Sequence, residues 1–540
     1  MDSIRKGAMA NTTPVRWSAF ARRLAFGLAV VVLLPILVRA QDFDLYRAPS
    51  DRNSPTVDLT VYGAPGNAIV QIRLHLGLPG TETGDNPGIV ITGGRTGPDG
   101  SLVIPIDRAA LRQSDASTVT VQAWALDEDG TPLKSNVEYL TARPTLHLLL
   151  ESHDGSPLPT RVVEYDLLLH ETHELIQDVK GKGLAGNSLP TALFDVQRGT
   201  GATFFVPVDA ESTLVRHGVA DDPRADLSFG AQEVVDVEFT EDQLHLMVLT
   251  RTMSRGGRSA YALHAIEVDA RSADRLGHHS SGTLFASPLG DSEAWLVQSD
   301  DSRRVFVVIR NENGVDRIQQ WVINGNLHEG CGVSPIRRYG EQIREVRVAD
   351  EFLAAVNENT RNGRTRLNVF HLATNALVLD VELPGSLLGL DLWMDGASVQ
   401  FAALTDHEGG QLYGEKIHAD RDPLVPLRRA PLPIAGALKL VAAPLSSQLF
   451  VGSAAGTVLR IDTPSWRVDG PIVSGLEHGI RLLGLAGDSD SQFLYLTTPE
   501  HFGSPSDILH CIELDPSTGR ALGEVKRLTV GGSVTQVRAH

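Results

Sequence analysis

A short motif returns along most of this chain at intervals of 42 to 55 residues. Each copy is a strand-like run ending in a small or acidic residue, a polar turn, and a second run. Val162–Val179 reads VVEYDLLLHETHELIQDV, Ala265–Leu276 reads AIEVDARSADRL, and Cys511–Val525 reads CIELDPSTGRALGEV. The residue marking the end of the first run recurs as Asp166, Asp221, Asp269, Asn324, Leu372, Asp420, Asp462 and Asp515. A unit of this size cannot bury its own apolar face and must stack on its neighbours. No 15-residue stretch carries a sustained helical stripe, so the class is all-β and the repeat predicts a β-propeller. Eight landmarks predict eight blades. Seven would remain if the unit around Asp221 is not a full four-stranded sheet.

The ends of the repeat region, 144–540, agree with a ring. Ahead of Asp166 lies one strand pair, His147–Leu150 and Val162–Leu168, with no strand before it. After the last unit the chain adds Ser533–His540, SVTQVRAH. That orphan is expected to supply the missing inner strand of the first blade, so that both termini close the ring and no sheet edge is left open. The landmark aspartates suit hairpin turns, because Asp accepts left-handed geometry and bonds its own backbone. The DPSTG of Asp515–Gly519 resembles the turn of YVTN-type and quinoprotein-like propellers, which implies the same fold. The repeated Trp of the quinoprotein pattern is absent, since Arg520-Ala521-Leu522 follows instead.

Ahead of the ring the pattern differs. Gln41–Pro55 is polar and reads as a linker. Residues 56–143 hold short alternating runs, VDLTVYG, AIVQIRLHL and TVTVQAWAL, broken by Gly97-Pro98-Asp99-Gly100 and by Asp129-Gly130. Such spacing predicts a β-sandwich. YGAPGNAIVQIRL, TGPDGSLVIPI and TVTVQAWALDEDGTPLKS together resemble the bacterial Ig-like modules of exported proteins. That resemblance implies a spacer or adhesion module without catalytic residues.

Residues 1–40 read as an export signal. Arg22-Arg23 precedes the apolar run Leu24–Leu37, and Ala40 is a small residue at the expected cleavage point. Fourteen apolar residues interrupted by Pro35 are too short to span a bilayer. The expected location is secreted or periplasmic, or membrane-anchored if the segment is not cleaved. Without that segment the chain holds 42 basic and 65 acidic residues, a net charge of −23. Such a body is a poor partner for nucleic acid or an anionic membrane.

Few local clusters suggest chemistry. His170-Glu171-Thr172-His173-Glu174 places its histidines three apart, whereas the zinc-protease pattern needs four on a helix; it reads as a solvated turn, as does His278-His279. Cys331 and Cys511 are the two cysteines, and the blade count puts them in blades four and eight, on opposite sides of the ring. No disulfide between them is expected. No metal, cofactor, nucleophile elbow or phosphate loop is predicted. The remaining surface is the central channel. The expected inner strands are 234–239, 293–297, 344–348, 388–393, 438–442, 481–485 and 534–538. Charged groups on otherwise apolar strands are costly to bury unpaired, so they are expected to face channel water or each other. The candidate ligand-binding residues are Asp236, Glu238, Glu345, Arg347, Asp391, Lys439 and Arg481, with Trp295 and Trp393 as stacking surfaces.

These features favour a binding or scaffold module that presents a propeller to a protein or glycan partner. The alternative is a propeller enzyme using the channel: a lactonase, a sugar-acid or glycan hydrolase or lyase, or a quinoprotein-like oxidoreductase. The sequence is silent on oligomeric state.

Overall fold

A computed structural model describes residues 43–539 apart from connecting loops, the longest of them 48–55, 76–88, 108–117, 152–159 and 181–192. The segment 1–40, expected to be an export signal, lies outside the described residues. Among these the protein is built of strands, and no helix is long and apolar enough to cross a membrane.

The first unit is a β-sandwich. One sheet orders Asp44–Arg47, Thr56–Tyr62 and Leu102–Asp107; the other orders Ile89–Arg95, Ile69–His75, Thr118–Leu126 and Pro132–Thr141. Alternate residues of both sheets meet in one core, with Leu59, Val61, Ile104 and Ile106 facing Val70, Ile72, Val121 and Ala123. The stretch expected as a linker is thereby corrected in its first part. Phe43 and Leu45 sit two apart, which puts both on one face of a strand, and both are buried in this core.

The second unit comprises eight four-stranded antiparallel sheets, the third extended by the short strand Phe285–Ala286. Blade 1 is composite. Its outer three strands are Thr145–Glu151, Arg161–Asp166 and Thr172–Gln177, and its inner strand is Ser533–Ala539 from the other end of the chain. Val534 stands opposite Leu150 and Val537 opposite Leu148. The inner strands of blades 2 to 8 are Phe194–Val196, Glu233–Phe239, Ser292–Gln298, Gln342–Ala349, Leu387–Asp395, Ala437–Ala443 and Leu482–Asp488.

Eight apolar cores prove the ring, because each lies between two consecutive blades. In blade 6, Phe401 and Ala403 pack on blade 5 while Ala402 and Leu404 pack on blade 7. In blade 5, Leu353 and Ala355 face blade 4. The period of two thus makes every sheet a double-sided plate. The circuit closes where Val534 and Leu148 pack with Phe493 and Leu509 of blade 8. The protein is therefore an eight-bladed β-propeller preceded by a β-sandwich.

The landmark residues fall at or within four residues past the end of the third strand in every blade. Two of them do hairpin chemistry through their side chains. The Asp515 carboxylate accepts from the backbone N–H groups of Ser517 (2.9 Å) and Thr518 (3.1 Å), and that of Asp462 from Ser465 N–H (2.8 Å).

Candidate functional site

The inner strands of seven blades line a central cavity of about 640 Å³; blade 2, whose inner strand has three residues, contributes none of the lining. Five of these strands carry a β-bulge near their start, at Val234/Asp236, Ile343/Glu345, Leu387/Gly389, Ala437/Lys439 and Val534/Gln536. A bulge sets two residues against one on the partner strand. Arg344 and Glu345 accordingly both line the channel, as do Leu388 and Gly389, and Thr535 and Gln536.

Of the expected site residues, Asp236, Glu238, Glu345, Arg347 and Lys439 line the cavity; Trp295 borders it but is 8% exposed and packed in the core between blades 4 and 5, so its ring is not a free stacking surface. Glu345 pairs with Arg347 on its own strand (Oε1 to Nη2, 2.8 Å), and the Arg347 Nε donates to the Leu390 carbonyl at 3.4 Å. Enclosure within the ring pushes the Glu345 carboxyl up, against the pull of Arg347, and pushes the Lys439 ammonium down. The Glu238 carboxyl is pushed up to about 8 by the same enclosure, with Arg538 opposing and Asp236 and Asp195 reinforcing the shift. Glu238 therefore holds its proton at neutral pH and is a hydrogen-bond donor there.

Two expected ligand residues have carboxylates occupied by backbone. Asp391 accepts from its neighbour Leu392 N–H (3.0 Å) and, across the blade boundary, from Ala442 N–H (2.6 Å). Asp236 accepts from Val237 N–H (2.9 Å) and from Leu296 N–H of blade 4 (2.7 Å). Asp195, which sequence reasoning missed, does the same between blades 2 and 3, through Val196 and Phe239 N–H. Asp316 and Asp507 make related ties from third strands, to Ile343 N–H (2.8 Å) and Val534 N–H (2.9 Å). Five of the eight blade junctions thus hold a carboxylate tie. The signal was present: an acid inside an apolar inner strand must be partnered, and backbone N–H groups of the next blade are the nearest donors.

Three residues, Trp295, Trp393 and Arg481, leave the candidate set, and Asp391, tied to the next blade, is absent from the cavity wall. Trp393 is not a stacking surface of the channel; it is buried between blades 6 and 7, because its position on the strand alternates toward that core. Arg481 is absent from the cavity wall and instead pairs with the fully buried Asp507 at 2.7 Å. In their place come Arg538, whose Nε lies 3.4 Å from Asp195 Oδ1, and Tyr495. Tyr495 belongs to the second strand of blade 8 and reaches the cavity across Gly484, its register partner. A Cβ at residue 484 would stand 2.2 Å from the phenol oxygen, so only glycine leaves this passage open. Burial, against the charge of Arg538, holds the Tyr495 phenol up to about 12.

The other clusters resolve as structure. His278 and His279 are on the outer strand Arg275–Ser280, not in a turn; this strand is exposed along both faces and so carries polar sequence. His278 Nε2 lies 3.1 Å from His264 Nδ1, and burial lowers His264 to about 4. Thr172–Glu174 likewise begin an outer strand rather than a turn; His170 and Glu171 lie outside the described residues. Among the described residues no group of three His, Cys, Asp or Glu could hold a metal ion. Cys511 is a free, buried thiol of blade 8, and Cys331 lies outside the described residues.

No protein-family profile matches the chain, and no curated protein matches it. Solved structures similar to it include dihydro-heme d1 dehydrogenase NirN in complex with DHE (12% identity, 73% of this chain and 74% of that one, TM-score 0.47). Others are a puromycin hydrolase mutant complexed with PGG (11%, 77% and 52%, 0.40) and Sqt1 of Saccharomyces cerevisiae (13%, 60% and 82%, 0.36). The propeller assignment rests on the ring of cores and not on these likenesses.

Proposed function

We propose that this protein is an exported binding module whose channel mouth receives a polar, sugar-like group of a glycan, with the sandwich acting as an Ig-like spacer. One observation carries the reading: the acids and bases of the cavity are distributed as a recognition surface. Asp236 and Asp391 are already held by backbone N–H groups, whereas Glu345, Arg347, Lys439 and the protonated Glu238 offer both donors and acceptors around one cavity, with Tyr495 at its wall. Glycan recognition needs that mixture of donors, acceptors and aromatic faces. The acidic body and the N-terminal apolar run support an extracytoplasmic address. Calorimetric titration of residues 41–540 with neutral and uronic oligosaccharides tests it: saturable binding should weaken at least tenfold in Arg347→Ala. Absence of binding to every glycan removes the reading.

A second reading has its own support, the Glu238 carboxyl held near 8, which is the range of a general acid in a lactonase or glycan lyase. Turnover of sugar lactones or uronides that vanishes in Glu238→Gln, with binding retained, would favour the enzyme.

A further inference from the structure

A second cavity, of about 490 Å³, lies away from the channel on blade 6. Its wall is the third strand Gln411–Ile417 and the loop that follows it, residues 418–431. The sequence there is HADRDPLVPLRRAP, and the lining holds four cations, Lys416, Arg421, Arg428 and Arg429, with His418, against three carboxylates, Glu415, Asp420 and Asp422.

The loop is braced from within. The Arg421 side chain, 9% exposed, pairs with the equally buried Glu415 at 2.9 Å and donates to the carbonyls of Val425 (2.8 Å) and Pro426 (3.1 Å). The second oxygen of Glu415 accepts from Arg428 N–H at 3.0 Å. The Asp422 carboxylate is turned back on Leu424 N–H at 3.0 Å. The loop is also tied outward on both sides, through Asp380 N–H to the Pro423 carbonyl toward blade 5 and through Arg429 Nη1 to the Thr463 carbonyl toward blade 7. Arg429 is further held over the Trp466 ring, 5.3 Å from its centre. The brace thus pairs the charge of Glu415 with that of Arg421, while Asp422 keeps its charge but is engaged by backbone. What remains at the cavity is the 82% exposed Arg428 guanidinium, whose Nε lies 3.9 Å from Glu415 Oε1, the positioned Arg429, Lys416 and His418, against Asp420 and Asp422.

We propose that this cavity is an oxyanion site, taking a carboxylate, sulfate or phosphate group through Arg428 and Arg429. Arginine forks suit such planar or tetrahedral oxyanions, and a guanidinium pre-set by stacking loses little freedom on binding. The loop ties leave the site formed before the ligand arrives.

The test uses residues 41–540 titrated with sodium sulfate, phosphate and glucuronate at constant ionic strength, followed by calorimetry and thermal shift. Saturable binding of at least one anion is expected, weakened tenfold or more in Arg428→Glu and in Arg429→Ala. Arg428 is exposed, so its variant should fold normally, which far-ultraviolet dichroism checks. The weakening by Arg428→Glu should be as large in an Arg347→Ala background, which separates this site from the channel. The three anions distinguish the source: preference for glucuronate points to an acidic glycan, and preference for sulfate or phosphate to an esterified one. No saturation by any anion, or binding indifferent to both arginine variants, overturns the proposal.

Discussion

Single carboxylates decide much of how this ring holds together. A buried acid that receives two backbone N–H groups replaces hydration with charge-assisted bonds, and removing it strands both donors. Asp391→Ala should therefore cost about 2–4 kcal/mol, read as a lower urea midpoint. An exposed acid such as Asp420 should be neutral on replacement and serves as the control. Glu151 presents the opposite case. It is 5% exposed, its Oε1 has no hydrogen-bond partner among the described residues, and burial pushes its carboxyl up to about 7. A raised carboxyl favours the folded state fully below its ordinary range, and that contribution is lost as pH climbs through 7. Glu151→Gln should match the wild type at pH 4 and exceed it at pH 8 by about 1–2 kcal/mol, a figure reduced for solvent screening. Denaturant curves at the two pH values check the sign.

At the scale of elements, legibility followed strand position. Inner and second strands carry long apolar runs, such as SVQFAALT of Ser398–Thr405, buried at every residue, so seven of the eight inner strands were readable in the sequence. The eighth, Phe194–Val196, is three residues long and shows no period. Outer strands such as Arg275–Ser280 are exposed and polar, which is why His278-His279 resembled a turn. The closing strand was legible because SVTQVRA had no partner of its own within its unit. Ending the chain at residue 532 removes that strand, strips Val534 from the core between blades 8 and 1, and bares the edge of Thr145–Glu151. Loss of cooperative unfolding and aggregation are expected, seen by calorimetry and light scattering. Val537→Pro, which places a prolyl ring within the pairing opposite Leu148, should lower the midpoint in the same direction without shortening the chain.

The whole molecule is a ring in which each blade is stabilised only by its two neighbours, so local burial at one blade is felt at all of them. His264 in blade 3 and His510 in blade 8 are both lowered to about 4 by burial. For a depressed histidine the unfolded chain takes protons first, so stability is full above about 6.5 and falls as pH drops toward 4. The double variant His264→Gln, His510→Gln should flatten that part of the stability profile, measured by denaturant unfolding from pH 7 to 4. A profile as steep as the wild type would mean that other groups set the acid limb.

Sequence alone determined the class and the closure by both termini and narrowed the count to eight or seven, because those depend on period and on turn chemistry, which are local; the eight sheets of the ring settled the number. It also singled out the charged residues of the inner strands. Only the tertiary structure could divide them into those that tie blades, Asp236 and Asp391, the one turned away, Arg481, and those that line the channel without such a tie, Glu238, Glu345, Arg347 and Lys439. A charge on a strand needs a partner, but which partner lies within reach is fixed by the neighbouring blade, some 50 residues away in the chain. Tyr495 makes the same point, since its path to the channel exists only because Gly484 happens to stand opposite it.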